Sequence, residues 1–246
     1  MLILLPPSEG KTAPAAGEPV DLAALAFAAE LTEQRQKLLV ALEALARVSQ
    51  KRALTMLGLS LGQKGELAVN AGLREAPAAP AAEVYSGVLY DHLGLAQLPA
   101  KARKQVLIAS ALWGVVRPDD RIPYYRFAAK AKLTKIGPLA KYWREPLTAA
   151  LPDEEGELIV DMRSGAYASA WKPKQATLLA VRAFSEEGGV RKPISHMAKA
   201  VRGDVAKALL AAKRAPSSAE EAATLAERAG LTVDLTQGHL DVINPR

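Results

Sequence analysis

Residues 1–14 read MLILLPPSEGKTAP: a short apolar run, two prolines, and then Ser8, Glu9, Gly10, Lys11 and Thr12. An apolar strand that breaks into a charged turn is what open α/β sheets place at the carboxyl ends of their strands, where they bind ligands. The ending GKT invites comparison with a phosphate loop. The G-x-x-x-x-G-K-[ST] motif, however, needs a glycine five positions before Gly10, and Leu5 stands there. The turn is not a phosphate loop of that kind, and its ligand has to be read from the rest of the chain.

The same arrangement recurs. QVLIASALWG from Gln105, ELIVDMRSGAY from Glu157 and ATLLAVRAF over 176–184 are apolar runs of buried-strand character. Polar residues follow each: Arg117 and Asp120; Asp161, Arg163 and Ser164; Ser185 and Glu186. Four strand ends are therefore expected to converge on one site. Between them, helical spacing runs over 32–48, through Leu38, Leu42 and Leu45, and over 194–212, through Met197, Val201, Val205 and Leu209. The second helix collects Lys199, Arg202 and Lys207 on its opposite face, with His196 and Gly203 at the edge. Ser218 and Glu221 form a capping-box pair before EEAATLAERA, which Gly230 ends. LTVDLT and HLDVIN, joined at Gln237 and Gly238, predict an antiparallel hairpin. APAAPAA, 76–82, reads as a loop because nothing in it packs strongly. There is no repeat of fixed period. The pattern predicts a mixed α/β (α+β) fold: one compact domain over 1–246, with a buried mixed sheet and flanking helices.

The 246 residues are half hydrophobic and one quarter charged, with no apolar run near the roughly 18 residues a membrane span needs. The amino terminus has no basic stretch before LILLPP, so the expected location is cytoplasmic. Cysteine is absent, which excludes disulfides, thiolate nucleophiles and cysteine-ligated metal centres. The balance of 32 bases to 26 acids gives +6, a weak pull toward polyanions.

Among candidate chemistries, His92, His196 and His239 fall at no metal-ligand spacing, and no G-x-S-x-G elbow or G-x-G-x-x-G turn is present. Neither a metal nor a cofactor is expected. WGVVRPDDRIPYYR places Arg117, Arg121, Arg126, Tyr124 and Tyr125 on a backbone stiffened by two prolines. Its arginines can grip a phosphate or carboxylate, or can pair with Asp119 and Asp120. KAKLTKIGPLAKYWREPL has K-I-G-P-L-A between two segments of helical composition, as a helix-hairpin-helix does, with Lys130, Lys132, Lys135 and Lys141 nearby. Tyr142 and Trp143 in it are read as core anchors more readily than as base platforms.

Taken together, PPSEGKT, YSGVLYD at 85–91, SALWGVVRPDDRIPYYR, Trp143, DMRSGAYASAWKP and ISHMAKAVRGDVAKALL resemble, in the same order, the YaaA family of peroxide-stress proteins. The resemblance implies a single α/β domain of unusual topology with a helix-hairpin-helix-like element. It also implies a cytoplasmic protein that limits iron-driven oxidative damage and has affinity for double-stranded DNA. The better-studied branch has a first motif closer to I-S-P-A-K-T, so a role carries over to Lys11 and Thr12.

Two functional readings follow. In the first, Lys135, Gly137 and Lys141 of the hairpin, with Lys199 and Arg202, neutralise DNA phosphates. In the second, an enzyme pocket at the strand ends holds a small anionic substrate. There Lys11, Arg117 and Asp161 are the candidate catalytic residues, and Ser8, Glu9, Thr12, Arg126, Ser164, Lys172, Lys199 and Arg202 the candidate anion ligands; Asp161 or Glu9 would serve as base. The expected partners are thus double-stranded DNA or a small anion, with no membrane and no protein partner.

Overall fold

The computed structural model describes residues 1–188, 190–194 and 197–245; His196 of the sequence reading lies outside them. The strands are β1 (Leu2–Leu5), β2 (Ala78–Pro80), β3 (Val106–Ser110), β4 (Gly114–Val116), β5 (Arg121–Pro123), β6 (Leu158–Asp161), β7 (Thr177–Glu187), β8 (Val190–Pro193), β9 (Thr232–Thr236) and β10 (His239–Pro245). The helices are α1 (Ala28–Ala44), α2 (Gln50–Leu57), α3 (Glu66–Ala71), α4 (Ala81–Val84), α5 (Val88–Leu93), α6 (Ala100–Arg103), α7 (Leu139–Ala150), α8 (Gly165–Ala168), α9 (Ala198–Ala211) and α10 (Ala219–Arg228).

Eight strands form one sheet in the order β4-β3-β1-β6-β7-β10-β9, with β8 on β7. The run β3-β1-β6-β7-β10 is parallel throughout, while β4, β8 and β9 are antiparallel additions. β1, β3 and β6 are buried at every residue, which is why each reads as a continuous apolar run without alternation. β7 pairs with β6 over Thr177–Ala180 and with β8 over Phe184–Glu187. Because β10 occupies the other edge of β7 from Ala180 to Glu186, β8 must take the stretch that the shorter β6 leaves free. One continuous core runs from Ile3 through Leu39, Trp113, Trp143 and Val160 to Val242. Among the described residues, no helix is long and apolar enough to cross a membrane.

Several expectations need correction. The 76–82 stretch is not a free loop: Ala78 and Ala81 are fully buried, β2 pairs with β5, and α4 follows at once. Small side chains there permit close approach rather than leaving the chain loose. The helix-hairpin-helix lacks its first helix, since 128–137 is turn and irregular backbone and only α7 follows Gly137. Gly137 has a φ of +77°, and a Cβ there would touch nothing. Tyr142 and Trp143 anchor α7: their side chains donate to the carbonyls of Gln34 and Ala111, both at 2.8 Å. The capping box is half formed. Ser218 Oγ accepts from the Glu221 amide at 3.2 Å, but the Glu221 carboxylate turns to the Ser217 amide at 2.8 Å. The C-terminal hairpin forms as predicted, and β10 additionally enters the sheet beside β7.

Candidate functional site

Parallel alignment of β1 and β6 delivers the loops that follow them to one edge of the sheet. A cleft of about 520 Å³ opens there, bounded by residues 6–11, 57–59, 87–90 and 126–130 and by Ser164, Tyr167, Lys199 and Arg202. Its size is that of a small-molecule site. Among the described residues, five cationic side chains, Lys11, Arg126, Lys130, Lys199 and Arg202, line it against a single carboxylate, Glu9.

The first loop is fastened to the segment before α5. Ser8 Oγ donates to the Ser86 carbonyl, the Thr12 amide donates to the Val84 carbonyl at 2.8 Å, and the Ser86 amide to the Gly10 carbonyl at 3.2 Å. Gly87 makes this contact possible, with a φ of +101° and the Ser8 Oγ 3.4 Å from where a Cβ would sit. Lys11 Nζ donates to the Ser8 carbonyl at 2.6 Å and lies 4.5 Å from the centre of the Tyr125 ring and 5.6 Å from that of Tyr85. Burial first, and then the neighbouring Arg126, hold its ammonium pKa down at about 8, against the pull of Glu9 and Glu66. Beneath it, a buried hydroxyl chain runs from Tyr85 to Tyr125 to Ser110, each step 2.8 Å.

Arg126 Nη1 donates to the Glu9 carbonyl at 2.7 Å, and Nη2 lies 3.6 Å from the Glu9 carboxylate. Its backbone is clamped by Asn70, whose Oδ1 accepts from the Arg126 amide at 2.9 Å and whose Nδ2 donates to the Arg126 carbonyl at 2.7 Å. Asn70 is buried on α3. Nothing in the sequence marks it, since a lone asparagine amid alanines carries no motif. Two tyrosines also escape a sequence reading. Tyr90 donates to the Pro6 carbonyl at 2.8 Å, and Tyr167, its phenol pushed up to about 12 chiefly by burial, accepts from the Ala129 amide at 3.3 Å. Both stand within stretches already singled out, Tyr90 in YSGVLYD, which docks on the first loop, and Tyr167 in DMRSGAYASAWKP, but neither is marked there as a site residue.

Of the residues singled out from sequence, Ser8, Glu9, Lys11, Arg126, Ser164, Lys199 and Arg202 line the cleft together, and Thr12, Arg117, Asp161 and Lys172 do not. Arg117 is displaced because β4 runs antiparallel to β3 and carries the chain back to the opposite edge. There its guanidinium donates to the Lys104 carbonyl at 3.2 Å and lies over the Phe27 ring. Asp120 beside it is structural, accepting the amides of Arg117 and Ala26 at 2.9 and 3.1 Å. Asp161 is buried and committed to Arg163, whose Nε and Nη2 each donate to it at 2.9 Å, so no free carboxylate is offered there as a base. Lys172 is exposed, as are Lys135 and Lys141. Arg202 differs from all of these: among the described residues its buried Nε has no hydrogen-bond partner. Those residues also contain no group of three or more His, Asp or Glu arranged to hold a metal.

The topology and the cleft define an α/β protein with a cation-lined cleft at the carboxyl ends of parallel strands. The family described as peroxide stress protein YaaA matches residues 1–234. A UPF0246 protein of Streptomyces coelicolor is 43% identical over 229 residues, covering 90% of this chain and 87% of its own. One from Corynebacterium efficiens is 40% identical over 247 residues, with 99% and 98% covered. A protein of Campylobacter jejuni is 32% identical over 82% of each chain. The chain belongs to the peroxide stress protein YaaA family.

Proposed function

We propose that the strand-end cleft binds a phosphate-bearing ligand, and that this binding underlies the protein's part in the response to peroxide. The observation that carries the reading is Arg202. A guanidinium donor buried without a partner costs free energy comparable to a lost hydrogen bond, and an anion in the cleft that draws the partly buried Arg202 side chain toward it would recover it. Lys11, Arg126, Lys130 and Lys199 supply the remaining charge, and a planar guanidinium at Arg202 or Arg126 matches the oxygens of a phosphate. Calorimetric titration with inorganic phosphate, pyrophosphate and mononucleotides tests it. Binding should weaken as salt rises, and Arg202→Gln should lower affinity about 10- to 100-fold, the loss of one charge-assisted hydrogen bond of roughly 1.5–3 kcal/mol. Arg117→Ala and Lys172→Ala, outside the cleft, should leave affinity unchanged. Equal affinity in Arg202→Gln and the parent protein would refute the reading.

A second reading takes duplex DNA as the phosphate-bearing ligand, with the protein shielding it from iron-driven damage. It is favoured by the exposed lysines Lys130, Lys132, Lys135 and Lys141, which lead from the cleft rim to the start of α7. Lys135→Ala with Lys141→Ala should then weaken duplex binding across all sequences and flatten its salt dependence, followed by fluorescence anisotropy. An unchanged salt slope would remove this segment from any DNA interface.

A further inference from the structure

We infer that Lys11 is an amine nucleophile, and that the cleft's ligand class is a phosphate-bearing aldehyde or ketone captured at Lys11 Nζ as an imine. The inference rests on the phosphate reading of the cleft and adds to it the group the ligand must carry. Its basis is the contrast between Lys11 and an ordinary surface lysine. Lys11 is partly buried, walled by the faces of Tyr85 and Tyr125, and held by one hydrogen bond, to the Ser8 carbonyl. Among the described residues it forms no ion pair, although Glu9 stands two positions away and Glu9 instead faces Arg126. A lysine desolvated beside another cation, with no carboxylate clasping it, has its uncharged form stabilised, and only the uncharged amine attacks a carbonyl. Burial is the largest influence against the ammonium and Arg126 the next, while Glu9 and Glu66 favour it; the balance is the lowered pKa of about 8.

The step balances without an oxidant or a cofactor. The Nζ lone pair forms a bond to the carbonyl carbon as the C–O π bond opens, and a proton passes from nitrogen to oxygen. The carbinolamine then loses water to give the imine. The remaining cations, Arg126, Lys130, Lys199 and Arg202, would hold the phosphate end.

Pyridoxal 5′-phosphate serves as the probe aldehyde, because borohydride reduction fixes its imines and peptide mapping locates them. On the wild-type protein the adduct should fall predominantly on Lys11, with half-maximal trapping near pH 8. It should decline at least tenfold when pyridoxal without phosphate replaces the probe, when Arg202→Gln is introduced, or when inorganic phosphate competes. Lys11→Arg, its folding checked by thermal melting, should abolish it. Mapping on the wild type keeps the test valid even where that variant does not fold. Trapping spread over Lys130, Lys199 and surface lysines, unaffected by phosphate, would overturn the inference. If calorimetry still registers phosphate binding in that case, the nucleophile is wrong and the cleft reading stands; if phosphate does not bind, both fall.

Discussion

Arg126 reaches the cleft because Asn70 ties both polar groups of its backbone, and this dependence is measurable. Asn70→Ala leaves the part-buried amide and carbonyl of Arg126 without their partner, which should cost about 1–3 kcal/mol in urea denaturation and weaken phosphate binding without touching any cleft side chain. Lys11 makes a prediction of opposite kind. Its folded pKa of about 8 lies below the 10.5 of an unburied lysine, so between these values the unfolded chain binds the proton and the folded chain does not. Its contribution to stability therefore rises with pH across that window and is lost as pH falls through 8. The difference in urea midpoint between wild type and Lys11→Met should shrink from pH 7 to pH 10, with the variant the more stable at the lower value. At this scale the sequence was partly legible. Lys11, Lys199 and Arg202 stood out as cations beside strand ends or on a helix face. Arg117 looked equivalent to Arg126 because a sequence displays a strand's apolar run but not its direction.

The elements that carry these residues are held by close approaches only small side chains allow. Gly203 sits where α9 crosses α5, and a Cβ there would lie 2.6 Å from the Leu89 carbonyl oxygen and 2.7 Å from His92 Cβ. Gly203→Ala should therefore force the two helices apart at a cost of roughly 1–3 kcal/mol, seen as a lowered urea midpoint. Because Lys199 and Arg202 ride on α9, phosphate affinity should fall with it. The helix itself was readable from the spacing of Val201, Val205 and Leu209, but the glycine's purpose was not, since what it accommodates comes from a hundred residues earlier. APAAPAA misled for the same reason. Its alanines signal weak packing when read alone and tight packing once β5 lies against them.

Taken whole, the molecule is closed by a strand that follows the stretch the family match covers. β10 fills the sheet between β7 and β9, burying Leu240 and Val242, and Asp241 receives both donors of Arg182 at 2.6 Å. Ending the chain at Gly230 should leave β7 as a long unpaired edge, abolish cooperative thermal unfolding and drive association, read by size-exclusion chromatography. The parallel sheet was legible in the unbroken apolar runs of β1, β3 and β6, whereas its strand order was not, because order is settled by pairing across long separations.

That order has a consequence in time. β1 sits between β3 and β6, so this strand is made before its partners, which begin at Val106 and Leu158. At ribosomal elongation of 5–20 residues per second, β6 follows it by roughly 8–30 s. LILL can pair with β3 once Val106–Ser110 is made, but its other edge stays open until β6 arrives. The loop behind β1 is therefore completed late: a nascent chain interrupted before β6 carries Lys11 with Tyr85, Tyr125 and Arg126 but lacks Ser164, Tyr167, Lys199 and Arg202 from the wall of the cleft.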